Sequence, residues 1–392
     1  MVRFALRALT AIAVAGAATF ATLGGTAQAA DGKKVPPPGW KLAVVYRAES
    51  EVAGIAALGA GDAWEAGTEC GSPCDTSTLL VGHWNGKKWS LVQPPAEFVN
   101  NAENASASAV APVSSSVAWV FADQNVVTNH SFALLRSGSS WAPVTELATG
   151  TSITTAVAPG PKDAWAFGEN VGSFTPYAVH YNGKNWSAVR FGVLGTDASA
   201  LSASDVWVIG NTPTVPKSRL RVTIENYNGK AWHKLALPKI SLPAGEVLDG
   251  SAIDAVGRRD VWATAVPVSA TTGGTEQGIV ALHYNGKSWA RVKVPYPVYS
   301  VYGPFLIAQD GQGGFWLAAD QLAAGAYRPY LYHDSSRGHW TRAAVPAGHG
   351  DATELLSLAW IPGTATLWAA GHELPFPSNP DETEQGVIAA YR

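Results

Sequence analysis

Hydrophobic and polar positions follow the same short pattern at many places along the chain. The clearest copy is the segment 278–292, which reads GIVALHYNGKSWARV. Its apolar run Ile279–Leu282 has the length of a buried strand. Asn285 and Gly286 interrupt this run, and Ser288–Val292 forms a second strand-like stretch. The pattern therefore predicts a β-hairpin.

The turn of this hairpin also predicts how its two strands pair. An Asn-Gly pair favours a two-residue loop, because both central residues of a type I′ turn need a positive φ. With such a loop, Tyr284 faces Lys287 and Leu282 faces Trp289. A Leu–Trp pair of this kind stabilises a sheet.

Two signatures alternate along the sequence. The first is a strand centred on tryptophan and usually ended by a small residue, and it occurs at Asp62–Gly67, Val117–Ala122, Asp163–Gly168, Asp205–Gly210, Asp260–Ala265, Gly314–Ala319 and Thr366–Gly371. The second is the hairpin, and it occurs at His83–Trp89, Arg136–Trp141, His180–Trp186, Asn226–Trp232, His283–Trp289 and His333–Trp340. Successive tryptophans of the first signature are 42 to 55 residues apart, which is typical of β-propeller repeats.

The two ends of the chain supply the hairpin that the seventh repeat lacks. Gly386–Arg392 matches the strand that enters a hairpin, and Gly39–Val45 matches the strand that leaves one. A closed ring explains this division, whereas an open array of β-repeats would leave long edge strands unprotected. We therefore expect an all-β fold, a seven-bladed β-propeller of four-stranded antiparallel blades whose last blade is completed by the N-terminal strand.

The composition agrees with this architecture. The chain has 40 glycines, 25 prolines and 16 tryptophans, which indicates many turns and aromatic contacts rather than helices. Large and small side chains interleave where sheets pack face to face. Most of the tryptophans are therefore expected in the core and not at a ligand site.

The beginning of the chain has the pattern of a secretory signal peptide. A basic start precedes the apolar stretch Ala8–Leu23, and small residues around Ala29 suit a cleavage site. A membrane anchor is the alternative, although the apolar run is short for a full span. We expect a signal peptide at 1–29, a flexible segment at 30–38 and one propeller domain at 39–392 in a secreted protein.

Charge and cysteine content narrow the possible partners. The formal net charge is −3 and no basic run is present, which argues against a nucleic-acid partner. No stretch after the signal is apolar for long enough to enter a membrane.

Cys70 and Cys74 lie close together, so a disulfide is favoured over a zinc site, which needs four ligands. We expect a monomer without cofactor or metal.

Histidines recur in the second signature, at the strand that enters each hairpin. They are His83, His180, His283 and His333. Each belongs to a different blade, so the imidazoles diverge around the ring and cannot share a metal ion. We expect them to be held by hydrogen bonds within their hairpins.

The loops divide the predicted propeller into two unequal faces. In a four-stranded meander, the turns between strands one and two and the hairpin turns lie on one face, and both sets are short. The opposite face carries the connections between blades and the loops between strands two and three, which vary in length: Thr68–Thr78, Asp123–His130, Asn211–Arg219, Val266–Gln277, Asp320–Tyr327 and His372–Gln385. We call it the long-loop face. Binding groups usually lie on variable loops carried by a rigid scaffold, so a ligand is expected there.

Polar residues recur four positions after the tryptophan of strand two, where that strand reaches the long-loop face. The candidate ligand-binding residues at this position are Asp123, Glu169, Asn211, Asp320 and His372. Arranged around the central channel, they could bind a sugar, a cation or a side chain of a partner. The alternative is that they accept backbone N–H groups of the adjacent loops, as Asp and Asn often do.

The pairing of the D-V-W-x-x-G strand with the H-[W/Y]-N-G-K-x-W hairpin resembles that of a group of exported bacterial propellers. More distantly, it is similar to tectonin-type and related lectin propellers, whose repeats also join a D-V-[W/F] strand to a W-x-G-x-W hairpin. The resemblance covers residues 39–392 and implies the propeller architecture. Lectin-like members of such folds bind sugars, which implies a glycan as one class of ligand.

Three functions are consistent with the sequence. A secreted, non-catalytic module that binds an extracellular glycan or a cell-surface partner through the long-loop face is favoured. The alternative is a polysaccharide hydrolase or lyase, for which Asp123, Glu169 and Asp320 are the carboxylates near the channel mouth, although no residue is assigned a catalytic role. A protein-binding scaffold that uses Trp84 or the loop Pro375–Pro380 is a further alternative.

Overall fold

The computed structural model describes residues 39–70, 76–99, 104–125, 128–213, 221–270, 278–296, 298, 305–323, 326–335, 338–345, 352–374 and 384–391. The predicted signal peptide and flexible segment fall outside these residues, as does the loop Pro375–Pro380. Cys74 also lies outside them, so its predicted disulfide with Cys70 stays a prediction.

The described residues form 29 strands in seven sheets. Blade 1 contains β2 (Ser50–Gly59), β3 (Asp62–Cys70), β4 (Ser77–Trp84) and β5 (Trp89–Leu91). Blade 2 contains β6 (Asn104–Ser114), β7 (Val117–Asn125), β8 (Asn129–Ser137), β9 (Ser140–Trp141) and β10 (Thr145–Thr149). Blade 3 contains β11 (Thr151–Gly160), β12 (Asp163–Asn170), β13 (Thr175–Tyr181) and β14 (Trp186–Ala188). Blade 4 contains β15 (Leu194–Ser202), β16 (Asp205–Thr212), β17 (Arg221–Tyr227) and β18 (Trp232–Lys234).

Blade 5 contains β19 (Glu246–Gly257), β20 (Asp260–Ser269), β21 (Val280–Tyr284) and β22 (Trp289–Val292). Blade 6 contains β23 (Leu306–Gln309), β24 (Phe315–Ala323), β25 (Ala326–Ser335) and β26 (His339–Ala344). Blade 7 contains β27 (Ala352–Trp360), β28 (Leu367–Leu374), β29 (Gln385–Tyr391) and β1 (Trp40–Ala48). A single 3-10 turn at Ala96–Phe98 is the one helical element of the described residues, and no helix there is long and apolar enough to span a membrane.

The seven antiparallel blades form a closed ring. The first strands of neighbouring blades lie side by side, and β27 of blade 7 packs beside β2 of blade 1. The ring closes because β1 pairs with β29, placing Trp40 opposite Tyr391 and Leu42 opposite Ala389. The predicted seven-bladed propeller with its shared last blade is therefore confirmed.

The hairpin turns differ from the prediction in their register. Tyr284 pairs with Trp289 and not with Lys287, so the loop contains four residues. The side-chain oxygen of Asn285 accepts the backbone N–H groups of Lys287 and Ser288 at 3.0 and 3.1 Å. Among the loop residues only Gly286 has a positive φ, of 87°, so a type I′ turn does not form. The same turn recurs at Asn85, Asn182 and Asn228.

The small residue that ends the first signature is explained by a close approach of two strands. A Cβ atom on Gly210 would lie 1.9 Å from the carbonyl oxygen of Leu194, in the inner strand of the same blade. Equivalent contacts restrict Gly67, Gly168 and Gly371. The tryptophan strand can therefore lie this close to the inner strand only where the side chain is minimal.

Hydroxyl groups on the inner strands connect neighbouring blades. In six blades of the described structure a β-bulge interrupts the pairing of the inner strand with strand two. Thr196 lies at such a bulge, and its hydroxyl donates to the carbonyl oxygen of Gly250 in the next blade at 2.9 Å. Ser251 makes the same bond to Phe305 at 2.9 Å. These bonds hold the ring together near the channel.

The hairpin histidines are bound to aspartates at the start of strand two or in the turn before it, and not within their own hairpins. His283 Nε2 lies 2.8 Å from Asp260 Oδ1, and the imidazole stacks on Trp262 with ring centroids 4.0 Å apart. The same hydrogen bond joins the pairs His83–Asp62, His180–Asp163 and His333–Asp310. These histidines therefore stabilise the blades.

Aromatic side chains fill the interfaces between blades. At several interfaces the tryptophan of strand two packs against two aromatic residues of the hairpin in the next blade, as Trp165 does against Tyr227 and Trp232. Trp84, in blade 1, takes the place of that tyrosine and packs against Trp368 of blade 7. All seven strand-two tryptophans are buried, so their predicted place in the core is confirmed.

Candidate functional site

The five candidate ligand-binding residues lie on five different blades, at corresponding positions near the long-loop end of strand two. Asp123, Asn211, Asp320 and His372 are buried, whereas Glu169 is half-buried. Glu169 pairs with Ser152 and Pro176 within its blade. Their equivalent placement follows the repeat, and their surroundings differ from blade to blade.

Asp123 is an acceptor that links blades 2 and 3. Its Oδ1 accepts the hydroxyl of Ser131 at 2.7 Å and the backbone N–H of Ile153, in the next inner strand, at 3.3 Å. Its Oδ2 accepts the hydroxyl of Ser108 at 3.2 Å. The carboxylate therefore satisfies several buried donors.

Asn211 links blades 4 and 5 by hydrogen bonds, as Asp123 links blades 2 and 3. Its side-chain oxygen accepts the backbone N–H of Gly250 at 3.3 Å, and its amide donates to Asp249. Burial raises the pKa of Asp249, and the bond from Asn211 offsets part of this effect. The polar residues of blades 2 and 4 thus have structural partners in the next blade.

Blade 7 departs from this scheme, because the position is occupied by histidine. His372 Nε2 lies 3.4 Å from Glu354 Oε2 and 3.9 Å from Glu384 Oε2. On the opposite side of the imidazole, His372 Nδ1 lies 3.8 Å from Glu51 Oε2 of blade 1. The histidine side chain is 7% exposed, while the carboxylates reach solvent. We call these four residues the His372 cluster.

Two opposing effects act on the charge of His372. Burial disfavours the imidazolium, but the bond to Glu354 and the negative charges of Glu51, Glu384 and Glu354 outweigh it and raise the pKa of His372. His372 Nδ1 has no hydrogen-bond partner among the described residues, because 3.8 Å is too long for such a bond. The cluster thus combines an imidazole whose protonation is favoured with three carboxylates.

Ring closure brings this cluster together. The backbone N–H of Ser50 donates to Glu384 at 3.0 Å, and the N–H of Gly386 donates to the Ser50 hydroxyl at 2.9 Å. These bonds fix the start of blade 1 against the third strand of blade 7. Glu49, which alone joins β1 to β2, has a φ of 62°.

The sequence indicated His372 but not the glutamates around it. Glu354 lies directly opposite His372 across β27 and β28. Glu51 occupies the corresponding position in blade 1, opposite Thr68. Aligning the inner strands of the repeats assigns Glu51, Glu354 and Ser106 to one repeat position, but it does not show that both glutamates lie beside the same histidine. Among the described residues, no group of three or more His, Cys, Asp or Glu is arranged to hold a metal ion.

A cavity of about 410 Å³ lies elsewhere, between blades 2 and 3. It adjoins the hairpin turn of blade 3 and therefore opens near the short-turn face, away from the His372 cluster. Ten residues line it: Trp119, Ala133, Leu135, Ala142, Pro143, Thr145, Tyr181, Lys184, Asn185 and Trp186.

The sequence matches no protein-family model, and no curated protein matches it significantly. Solved structures share its fold at low identity. The GH74 xyloglucanase from Xanthomonas campestris is 14% identical with a TM-score of 0.55, over 89% of this chain and 55% of that one. An ulvan lyase of family PL25 is 12% identical with a TM-score of 0.52, over 88% and 94% of the two chains.

A third similar structure concerns the closure of the ring. It is the β-propeller domain of the trilobed protease from Pyrococcus furiosus, described as having an open velcro topology. It is 8% identical with a TM-score of 0.50, over 89% of this chain and 94% of that one. In the present chain, by contrast, β1 pairs with β29. At these identities the comparisons establish the fold alone.

Proposed function

We propose that this chain is a secreted, non-catalytic module that binds an extracellular glycan through its long-loop face. The observation that carries the proposal is the His372 cluster, where partly exposed carboxylates surround a buried imidazole at the end of the ring that bears the long loops. The pattern of residues 1–29 supports export. Two fold neighbours are named for polysaccharides, which favours a glycan among extracellular ligands.

The charges of the cluster restrict the class of glycan. Carboxylates accept strong, charge-assisted hydrogen bonds from sugar hydroxyl groups. Three carboxylates around one imidazole leave an excess of negative charge whether or not the imidazole is protonated, and this charge repels uronic acids and sulfated sugars. A neutral or amine-bearing polysaccharide is therefore the expected ligand of this face.

A glycan array tests this proposal. The chain is expected to bind neutral or amino-sugar oligosaccharides, and Glu354→Gln should weaken that binding at least about tenfold, or about 1.4 kcal/mol. Glu246→Gln is the matched control, because Glu246 begins the inner strand β19 on the same face outside the cluster. Binding that Glu354→Gln leaves unchanged, or a protein partner retained in place of any glycan, would contradict the proposal.

A polysaccharide hydrolase or lyase is the second candidate, and the same cluster favours it. An ionisable imidazole beside carboxylates can exchange a proton with a bound substrate, and glycoside hydrolysis needs two carboxyl groups flanking one bond. The release of reducing ends or unsaturated products from a neutral polysaccharide, abolished by His372→Gln, would support this candidate. Asp123 is less suited to such chemistry, because its carboxylate accepts hydrogen bonds from Ser131 and Ile153.

A further inference from the structure

At most blade interfaces, a bulky side chain from the preceding blade packs over the aromatic residues of the hairpin. Between blades 3 and 4, Phe191 packs against Trp232 with ring centroids 5.0 Å apart. Between blades 4 and 5, Leu235 and Leu237 pack in the core that contains Trp289. These covering residues follow the fourth strand of the preceding blade.

The interface between blades 2 and 3 is covered only in part: Leu147 of β10 packs in the core that contains Trp186, but the residues directly after Trp141 leave a gap. After Trp141, the N–H of Ala142 still donates to Leu135 at 2.9 Å, but Pro143 has no N–H to continue the strand. The edge of blade 2 is therefore interrupted between β9 and β10. Val144 packs into the core of blades 1 and 2, which leaves Ala142, Pro143 and Thr145 beside the cavity.

The lining of this cavity is amphipathic. Trp186 lies beside Tyr181 and Trp119, with ring centroids 5.4 and 5.5 Å away, and the three rings form an aromatic wall. Three polar side chains complete the lining, and none of them makes a side-chain hydrogen bond to another described residue: Thr145, Lys184 and Asn185. The volume of about 410 Å³ lies within the range of ligand pockets, roughly 300–1,000 Å³.

We propose that this cavity binds one pyranose ring of a polysaccharide. A pyranose has an apolar face of C–H groups, which suits the aromatic wall, and equatorial hydroxyl groups, which suit the donors and acceptors of the polar side chains. Lys184 is the one charged residue of the lining, so the site accepts neutral rings and also rings that carry a carboxylate. The site is separate from the His372 cluster and on the other face of the ring.

Two sets of variants test this site without removing its buried aromatic residues. Thr145→Phe fills the cavity, since Thr145 is exposed and lies on its wall. Lys184→Ala with Asn185→Ala removes polar groups of the rim. The matched control is Lys287→Ala with Ser288→Ala, at the same positions of the blade 5 hairpin, where Leu235 and Leu237 supply the cover.

The readout is binding to an array of neutral and uronate-containing oligosaccharides that includes cellotetraose, with the tightest ligand then titrated in a calorimeter. The wild type is expected to bind at least one oligosaccharide, both test variants to weaken it at least tenfold, and the control to leave it unchanged. Binding that Thr145→Phe leaves unchanged, or no binding by the wild type, overturns the inference. If Glu354→Gln abolishes binding and Thr145→Phe does not, the proposed function is supported and this inference fails.

Discussion

Trp40 lies opposite Tyr391 across β1 and β29, with ring centroids 5.4 Å apart. Both rings belong to the core between blades 6 and 7, and Tyr391 also contacts Trp316 at 4.6 Å. The two ends of the described chain therefore rebuild the aromatic contact that a continuous hairpin supplies at other interfaces, such as that of Trp165 with Tyr227 and Trp232.

Replacing Trp40 with alanine should weaken this closure. The side chain is half-buried, so we expect a loss of about 2 kcal/mol in the free energy of unfolding, below the value for a fully buried tryptophan. Urea unfolding measures the change. Val45→Ala is the control on the same strand, since Val45 is 38% exposed. Equal losses for both variants would argue against a special role of the Trp40–Tyr391 contact.

The close approach at Gly210 predicts a steric effect of a single methyl group. Gly210→Ala places a Cβ atom 1.9 Å from the Leu194 carbonyl oxygen, so the backbone has to shift, at a cost of about 1–3 kcal/mol. Gly160→Ala should be nearly neutral, because a Cβ there meets nothing within 4 Å. Thermal unfolding of the two variants gives the comparison. A Gly210→Ala protein as stable as the Gly160→Ala protein would refute this explanation of the motif.

Asp123 should contribute more to stability than to ligand binding. Asp123→Ala leaves the hydroxyl of Ser131 and the N–H of Ile153 without their acceptor, which costs about 2 kcal/mol. Chemical denaturation measures the loss, and Asp123→Asn is the control because its amide keeps one acceptor oxygen. A fully stable Asp123→Ala variant with impaired glycan binding would instead support the direct ligand role predicted from the sequence.

A buried carboxyl group between blades 7 and 1, that of Glu65, makes the free energy of unfolding depend on pH. The hydroxyl of Tyr46 donates to Glu65, and burial raises the pKa of Glu65 from its ordinary 4.5 to about 8. The folded chain thus holds a proton that the unfolded chain releases. The contribution of Glu65 is fully present below pH 4.5 and is lost as the pH rises through about 8.

Unfolding at pH 5, 7 and 9 tests this dependence. Glu65→Gln should gain stability relative to the wild type as the pH rises, because the variant has no proton to lose. Glu146→Gln is the control that should show no change between pH 5 and pH 9, since the bonds from His130 and Thr149 lower the pKa of Glu146 from its ordinary 4.5, below this pH range. The contribution of Glu146 is present above its ordinary pKa and is lost as the pH falls. A constant difference between Glu65→Gln and the wild type at all three pH values would refute the assignment.

The sequence was sufficient to predict the architecture, because the number of blades and the shared last blade follow from counting two signatures. The hairpin register was not predictable from the Asn-Gly pair alone. The Asn285 carboxamide competes for the loop N–H groups and stabilises a wider turn, which a rule based on φ preferences does not include.

The candidate site was predictable only in part, for a physical reason. His372 marks a strand end and could be found by its spacing from Trp368, whereas Glu51 and Glu354 belong to opposite ends of the described chain and meet only through ring closure. The cavity beside Trp186 depends on where the residues after Trp141 pack: Val144 enters the core of blades 1 and 2, which leaves Ala142, Pro143 and Thr145 beside the cavity, and no sequence motif marks this choice.

The pairing of β1 with β29 also determines when this protein can finish folding. A ribosome releases Trp40 long before Tyr391, so the first strand has to wait for its partner while the intervening blades are made. During that interval the unpaired edge is open to the wrong neighbours, including other nascent chains. Assembly of blade 7 is therefore a step that only a polypeptide already extending to Tyr391 can take.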